Sequence, residues 1–89
     1  MATYIVTFEL KDTSRLAGLK EAMKVYGSFC PLTKHAWAIK TSSSAKEVRE
    51  KLTLALGPGD QLFVIRSGTE GAWRNSFGEK HNEWLKNNL

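Results

Sequence analysis

Two carboxylates, Glu9 and Asp12, close the run TYIVTFELKD near the start of the chain. Acids at this spacing can hold a divalent cation, and a Mg²⁺ clamped by two symmetry-related copies of Glu9 would polarise a phosphate and activate a water. Against this stands a plainer reading. Glu9 is then a solvent-facing strand residue, and Asp12 is an N-cap whose oxygen accepts from the first free amides of a helix. The plainer reading is preferred, because one carboxylate per chain is a thin ligand set for a cation that demands octahedral geometry.

The other reactive side chains are scattered. His35 and His81 carry the side chain most often used for acid–base work, but no spacing ties either to a nucleophile or an acid, so structural roles are expected. Cys30, beside Pro31, reads as a small buried hydrophobe. Ser42, Ser43 and Ser44 lack the glycines of a phosphate loop and read as a helix start. Trp37, Trp73 and Trp84, interspersed with Lys34, Lys40, Arg66 and Arg74, have the chemistry to stack bases and neutralise phosphates on a sheet face. The competing role for these tryptophans is the core and a subunit interface, and it is favoured.

Composition narrows the classes. The 89 residues make one domain, 1–89, with a small core that self-association would help. A hydrophobic share of 42% excludes a disordered chain. A single cysteine forbids an internal disulfide and fits a reducing, cytoplasmic setting. The amino end lacks the pattern of a signal peptide, and no apolar run reaches the length of a membrane span. The charge of +4 is spread along the chain, which is compatible with nucleic acid without demanding it.

The elements that must position these residues follow from periodicity. Residues 3–10 alternate as a strand, with Tyr4, Val6, Phe8 and Leu10 on one face and Thr3, Ile5, Thr7 and Glu9 on the other. Leu16, Leu19, Met23 and Tyr26 recur at helical spacing and Gly27 ends that helix. Phe29–Leu32 is expected to be a short edge strand because Pro31 cannot donate to a ladder. His35, Trp37 and Ile39 alternate with Ala36 and Ala38, whose small side chains predict close packing by a helix. Ser44 and Glu47 have capping-box spacing before a helix with Ala45, Val48, Leu52 and Ala55 buried. After the breaker GPGD, QLFVIRS is apolar on both faces, as a covered strand would be. Gly68–Trp73 reads as a loop with a tight turn, and a short last helix is expected from about Phe77.

The order predicts an α+β, ferredoxin-like βαββαβ domain: an antiparallel sheet with two helices on one face, plus a short C-terminal helix. Tyr4, Val6 and Phe8 should lie under the helices, with Glu9 outward. Trp37 or its alanine neighbours should share the bare face. An exposed apolar sheet marks an interface. Ile5, Trp37, Trp73 and Trp84 are its expected members and a homodimer the expected assembly. The segment from Trp73 to Leu89 is the alternative cover, in its own subunit or a partner.

The runs YIVTFEL, SFCPLTKHAWAIKT, DQLFVIR, GAWRNSF and EWLKNNL resemble, in that order, the small proteins of the SinR family. These are similar in turn to the CRISPR-associated spacer-acquisition endoribonucleases and the VapD ribonucleases. The resemblance implies a ferredoxin-like homodimer and possible metal-dependent cleavage of RNA or DNA. In the nuclease relatives a tyrosine and an aspartate end the first strand and hold a divalent metal, with Mg²⁺ the candidate; Phe8 and Glu9 stand there here. The expected function is thus a small dimeric binding module of a bacterial or phage accessory element, acting on nucleic acid or a nucleic-acid-handling protein. A metal-dependent endoribonuclease centred on Glu9 and a protein-interaction module (inhibitor or antitoxin) are the alternatives.

Overall fold

A computed structural model describes residues 1–68 and 70–89; Thr69, in the loop expected over Gly68–Trp73, lies outside the described residues. Strand β1 (Ala2–Glu9) leads through a 3-10 turn (Thr13–Arg15) into helix α1 (Leu16–Lys24). Strands β2 (Ser28–Thr33) and β3 (Ala36–Thr41) form a hairpin, helix α2 (Ala45–Thr53) follows, then strand β4 (Gln61–Arg66) and helix α3 (Glu79–Asn88). The sheet runs β2-β3-β1-β4 and every pairing is antiparallel, which is the expected ferredoxin-like order.

Alternation decides the faces. Tyr4, Val6 and Phe8 lie on the helix side, opposite Ile39 and Trp37 of β3 and beside Leu62 and Val64 of β4. Leu19 and Met23 of α1 and Val48 and Leu52 of α2 close over them with no exposed surface. Each such aliphatic side chain contributes about 1.5–3 kcal/mol through burial. The Tyr4 hydroxyl is satisfied by donating to the Ser43 carbonyl at 2.9 Å.

The capping signals act as the sequence suggests. Asp12 caps the 3-10 turn by accepting from the Ser14 amide at 2.9 Å. That contact with Ser14 holds its carboxyl below the usual range. Ser44 and Glu47 form a reciprocal capping box on α2, and the Ser44 amide holds the Glu47 carboxyl below its usual range. Gly27, at φ +82°, ends the α1 segment in a conformation that side chains resist.

GPGD does more than break a helix. The enclosed Asp60 carboxylate accepts from the amides of Gly57 (2.8 Å) and Lys11 (2.9 Å) and from Arg15 Nη1 (3.0 Å). The Gly57 amide, then that of Lys11, keeps this acid ionised to lower pH. Gly57 itself is needed for close approach, since a Cβ there would run into the Arg15 guanidinium. This one acid ties the β1–α1 corner to the α2–β4 corner.

Two expectations change. Trp37, a candidate for the bare face, lies in the core: it is 4% exposed and stacks on Phe29 at 5.4 Å between ring centroids. The reason is register, since Trp37 opposes Val6, and the alanines take the other side. Strand β4 is not covered on both faces but stands at a sheet edge, with Phe63 63% and Ile65 52% exposed. The other edge is β2, whose register breaks between Pro31 and Thr33. No helix among the described residues is long and apolar enough to cross a membrane.

Candidate functional site

The face turned away from α1 and α2 carries Thr3, Ile5, Thr7 and Glu9 of β1, Ala36, Ala38 and Lys40 of β3, Ser28 and Cys30 of β2, and Phe63 and Ile65 of β4. Helix α3 covers half of it, within the same chain. Trp84 Nε1 donates to Ser28 Oγ (3.3 Å), Thr3 Oγ1 to the Asn88 carbonyl (2.6 Å), and Lys40 Nζ to Asn88 Oδ1 (3.1 Å). Leu85 is 2% exposed and anchors the helix. The Cys30 thiol is buried beneath it, 4.0 Å from the His81 carbonyl, and burial raises its pKa. The fully buried Ala38 opposes Cys30, so the small residues of β3 admit a helix as their size predicts.

Over β1 and β4 the face stays open. Between this strip and α3 runs a cleft of about 800 Å³. Its apolar lining includes Ile5, Leu32, Ile65 and Leu85, and Trp73 stands in its wall with Nε1 donating to Asn82 Oδ1 at 3.0 Å. Arg66, Arg74 and Lys86 also line it, together with the acid Glu70, and none of the three cations forms a salt bridge among the described residues. An apolar floor with three cations against one acid around it suits a ligand that is flat and apolar in one part and anionic in another.

The expected site residues divide. Ile5, Trp73, Arg66 and Arg74 come together at the cleft. Lys34 lies in a second cleft at the β2–β3 turn with Pro31, His35 and Phe77. Lys40 is tied to α3, Trp84 docks α3, and Trp37 is in the core. Sequence reasoning misses Phe63, Ile65 and Lys86. The available signal for the first two is an apolar run, QLFVIR, without the proline or lysine that usually guards a sheet edge.

Glu9 is exposed at the carboxyl end of β1 on the open face, beside Gln61 of β4. It shares a shallow hollow with His35 and Asp60. Asp60 is committed to Arg15, Asp12 caps its turn, and Phe8 offers no donor atom and is buried. No group of three or more His, Cys, Asp or Glu side chains gathers among the described residues. A divalent ion therefore does not fit the donors of one chain at Glu9. No protein-family model matches the chain, and no curated protein matches it.

Proposed function

We propose that this protein is a small binding module of the SinR type that takes a single nucleic-acid strand across the open half of its sheet, acting as a homodimer. One observation carries the reading: Phe63 and Ile65 stand exposed on the strip bordering a cleft lined by Arg66, Arg74 and Lys86, none of which forms a salt bridge among the described residues. Bases stack on exposed aromatic faces, and guanidinium and ammonium groups beside them neutralise phosphates. The cationic excess of the chain supports the same partner.

The test is fluorescence anisotropy with labelled single-stranded RNA and DNA and with duplex DNA. Single strands are expected to bind with an affinity falling as salt rises, at a slope near −2 for three phosphate contacts at about −0.7 each. Phe63→Ala should cost about 1–3 kcal/mol of binding, and Arg74→Ala should flatten the slope. Absence of salt-dependent binding refutes the reading. Its competitor is the metal-dependent endoribonuclease, favoured only by the outward placement of Glu9 on this face. Mg²⁺-dependent cleavage that disappears in Glu9→Gln would put that competitor ahead.

A further inference from the structure

The two edges of the sheet are unequal. Strand β2 carries Pro31 and an irregular register, and proline and bulges are the devices that stop edges from pairing. Strand β4 has neither: its six residues pair regularly with β1, and its run Leu62–Ile65 is apolar. Among the described residues its far side faces no further strand. Which backbone groups turn to that side follows from hydrogen bonding. The Ser67 amide donates inward to the Thr3 carbonyl at 2.8 Å. In an antiparallel ladder alternate residues point the same way, so Ile65, Phe63 and Gln61 face β1. Leu62, Val64 and Arg66 turn their N–H and C=O groups outward.

We propose that β4 pairs antiparallel with β4 of a second copy, about a twofold axis at Val64, giving a continuous eight-stranded sheet. The inference rests on the dimeric reading above and names its geometry. The edge is self-complementary in this register. Val64 meets its own mate, and Leu62 meets the partner's Arg66, so all three outward residues of each copy pair. On the open face Phe63 falls opposite the partner's Ile65. The two open strips merge, and the cations of both clefts flank one apolar floor.

Charge and area favour a second copy as the occupant. The two Arg66 side chains stay about 14 Å apart along the strands at ~3.4 Å per residue, so the pairing does not bring these like charges together. With Phe63 63% and Ile65 52% exposed, two copies bring together about 460 Å² of apolar surface at ~200 Å² per large residue. A stable dimer buries about 1,200 Å² or more. The backbone edges and the flanks of Leu62, Val64 and Arg66 must supply the remainder.

The experiment is sedimentation of the full chain from about 1 to 500 μM, with Phe63→Glu, Ile65→Lys and the double variant. All substitutions fall on exposed positions, and circular dichroism checks their folding. The wild type should dimerise and each single variant should be mostly monomeric. An equimolar mixture of the two single variants should dimerise, because the carboxylate introduced in one then faces the ammonium introduced in the other. The double variant should dimerise for the same reason. A wild type that stays monomeric at 500 μM overturns the proposal. So does a dimer that survives in both single variants, or a mixture that stays monomeric. Oligonucleotide binding is read separately: a dimer with this register that binds no strand sinks the proposed function and leaves the pairing intact.

Discussion

Helix α3 is held to the sheet by three hydrogen bonds and one buried apolar anchor, and replacing that anchor should release the helix without unfolding the domain. Leu85 is 2% exposed, and Leu→Ala at buried sites costs about 2–5 kcal/mol. The lower part of that range applies, because α3 lies on an open face and can settle into the gap. At about 1.36 kcal/mol per decade, a loss of about 2–3 kcal/mol raises the opening equilibrium roughly 30- to 150-fold. Cys30 reports that opening directly. It is the chain's one cysteine and lies buried under α3, near the His81 carbonyl. Its labelling by a thiol reagent at mildly alkaline pH should therefore accelerate in Leu85→Ala by that factor. The urea midpoint should fall with it, because the closed helix belongs to the folded state, while Val6, Leu19, Met23, Ile39 and Leu52 keep the core on the other face folded as α3 opens. A labelling rate within about threefold of wild type would refute the reasoning, as would labelling that in both proteins requires global unfolding. In either case α3 is not an independently opening unit.

Acid should weaken the domain through its hydrogen-bonded carboxylates. Asp60, Asp12 and Glu47 all have folded pKa values below their ordinary ones, so the folded state binds fewer protons than the unfolded. Their stabilisation is complete above the ordinary carboxylate range and is lost as pH falls through the folded values. Denaturant melts at pH 7 and pH 3 should show the loss, and Asp60→Asn should be less stable at pH 7 with a shallower acid dependence. Ser44→Ala removes one arm of the capping box and should cost about 1 kcal/mol. For a chain of this size that lowers Tm by about 4–8 °C, readable by calorimetry.

The parts of the fold legible in the sequence are those where one face is much more apolar than the other. Tyr4, Val6 and Phe8 against Thr3, Ile5, Thr7 and Glu9 assign the faces of β1, and the Ser44–Glu47 spacing marks the start of α2. Where both faces are apolar the pattern is silent about cover. QLFVIR reads the same whether buried twice or standing at an edge, and only the strand order separates the two. Trp37 illustrates a second limit, since its face follows from the register with Val6, which no local pattern contains. At the site, the cations are visible but not their commitments: Lys40 is engaged by Asn88, 48 residues away, whereas Arg66 and Arg74 form no salt bridge among the described residues. Asp60 reads only as part of a breaker because two of its three donors, Lys11 and Arg15, lie 49 and 45 residues away.

The edge pairing and a shared metal at Glu9 exclude one another. Glu9 stands beside Gln61, and a twofold at Val64 sets Gln61 opposite the partner's Ser67. The two Glu9 residues are then offset by six residues along the strands and by three strand spacings across the sheet. At about 3.4 Å per residue and ~4.8 Å per strand, they lie roughly 25 Å apart. Two carboxylates clamping one Mg²⁺ must each bring an oxygen within about 2.1 Å of it. The binding module and the nuclease therefore require different dimers of the same chain. The pairing of Phe63→Glu with Ile65→Lys consequently bears on chemistry as well as assembly. A restored dimer in that mixture keeps the two acids too far apart to cooperate. Any metal-dependent cleavage would then have to come from one Glu9 acting without the other.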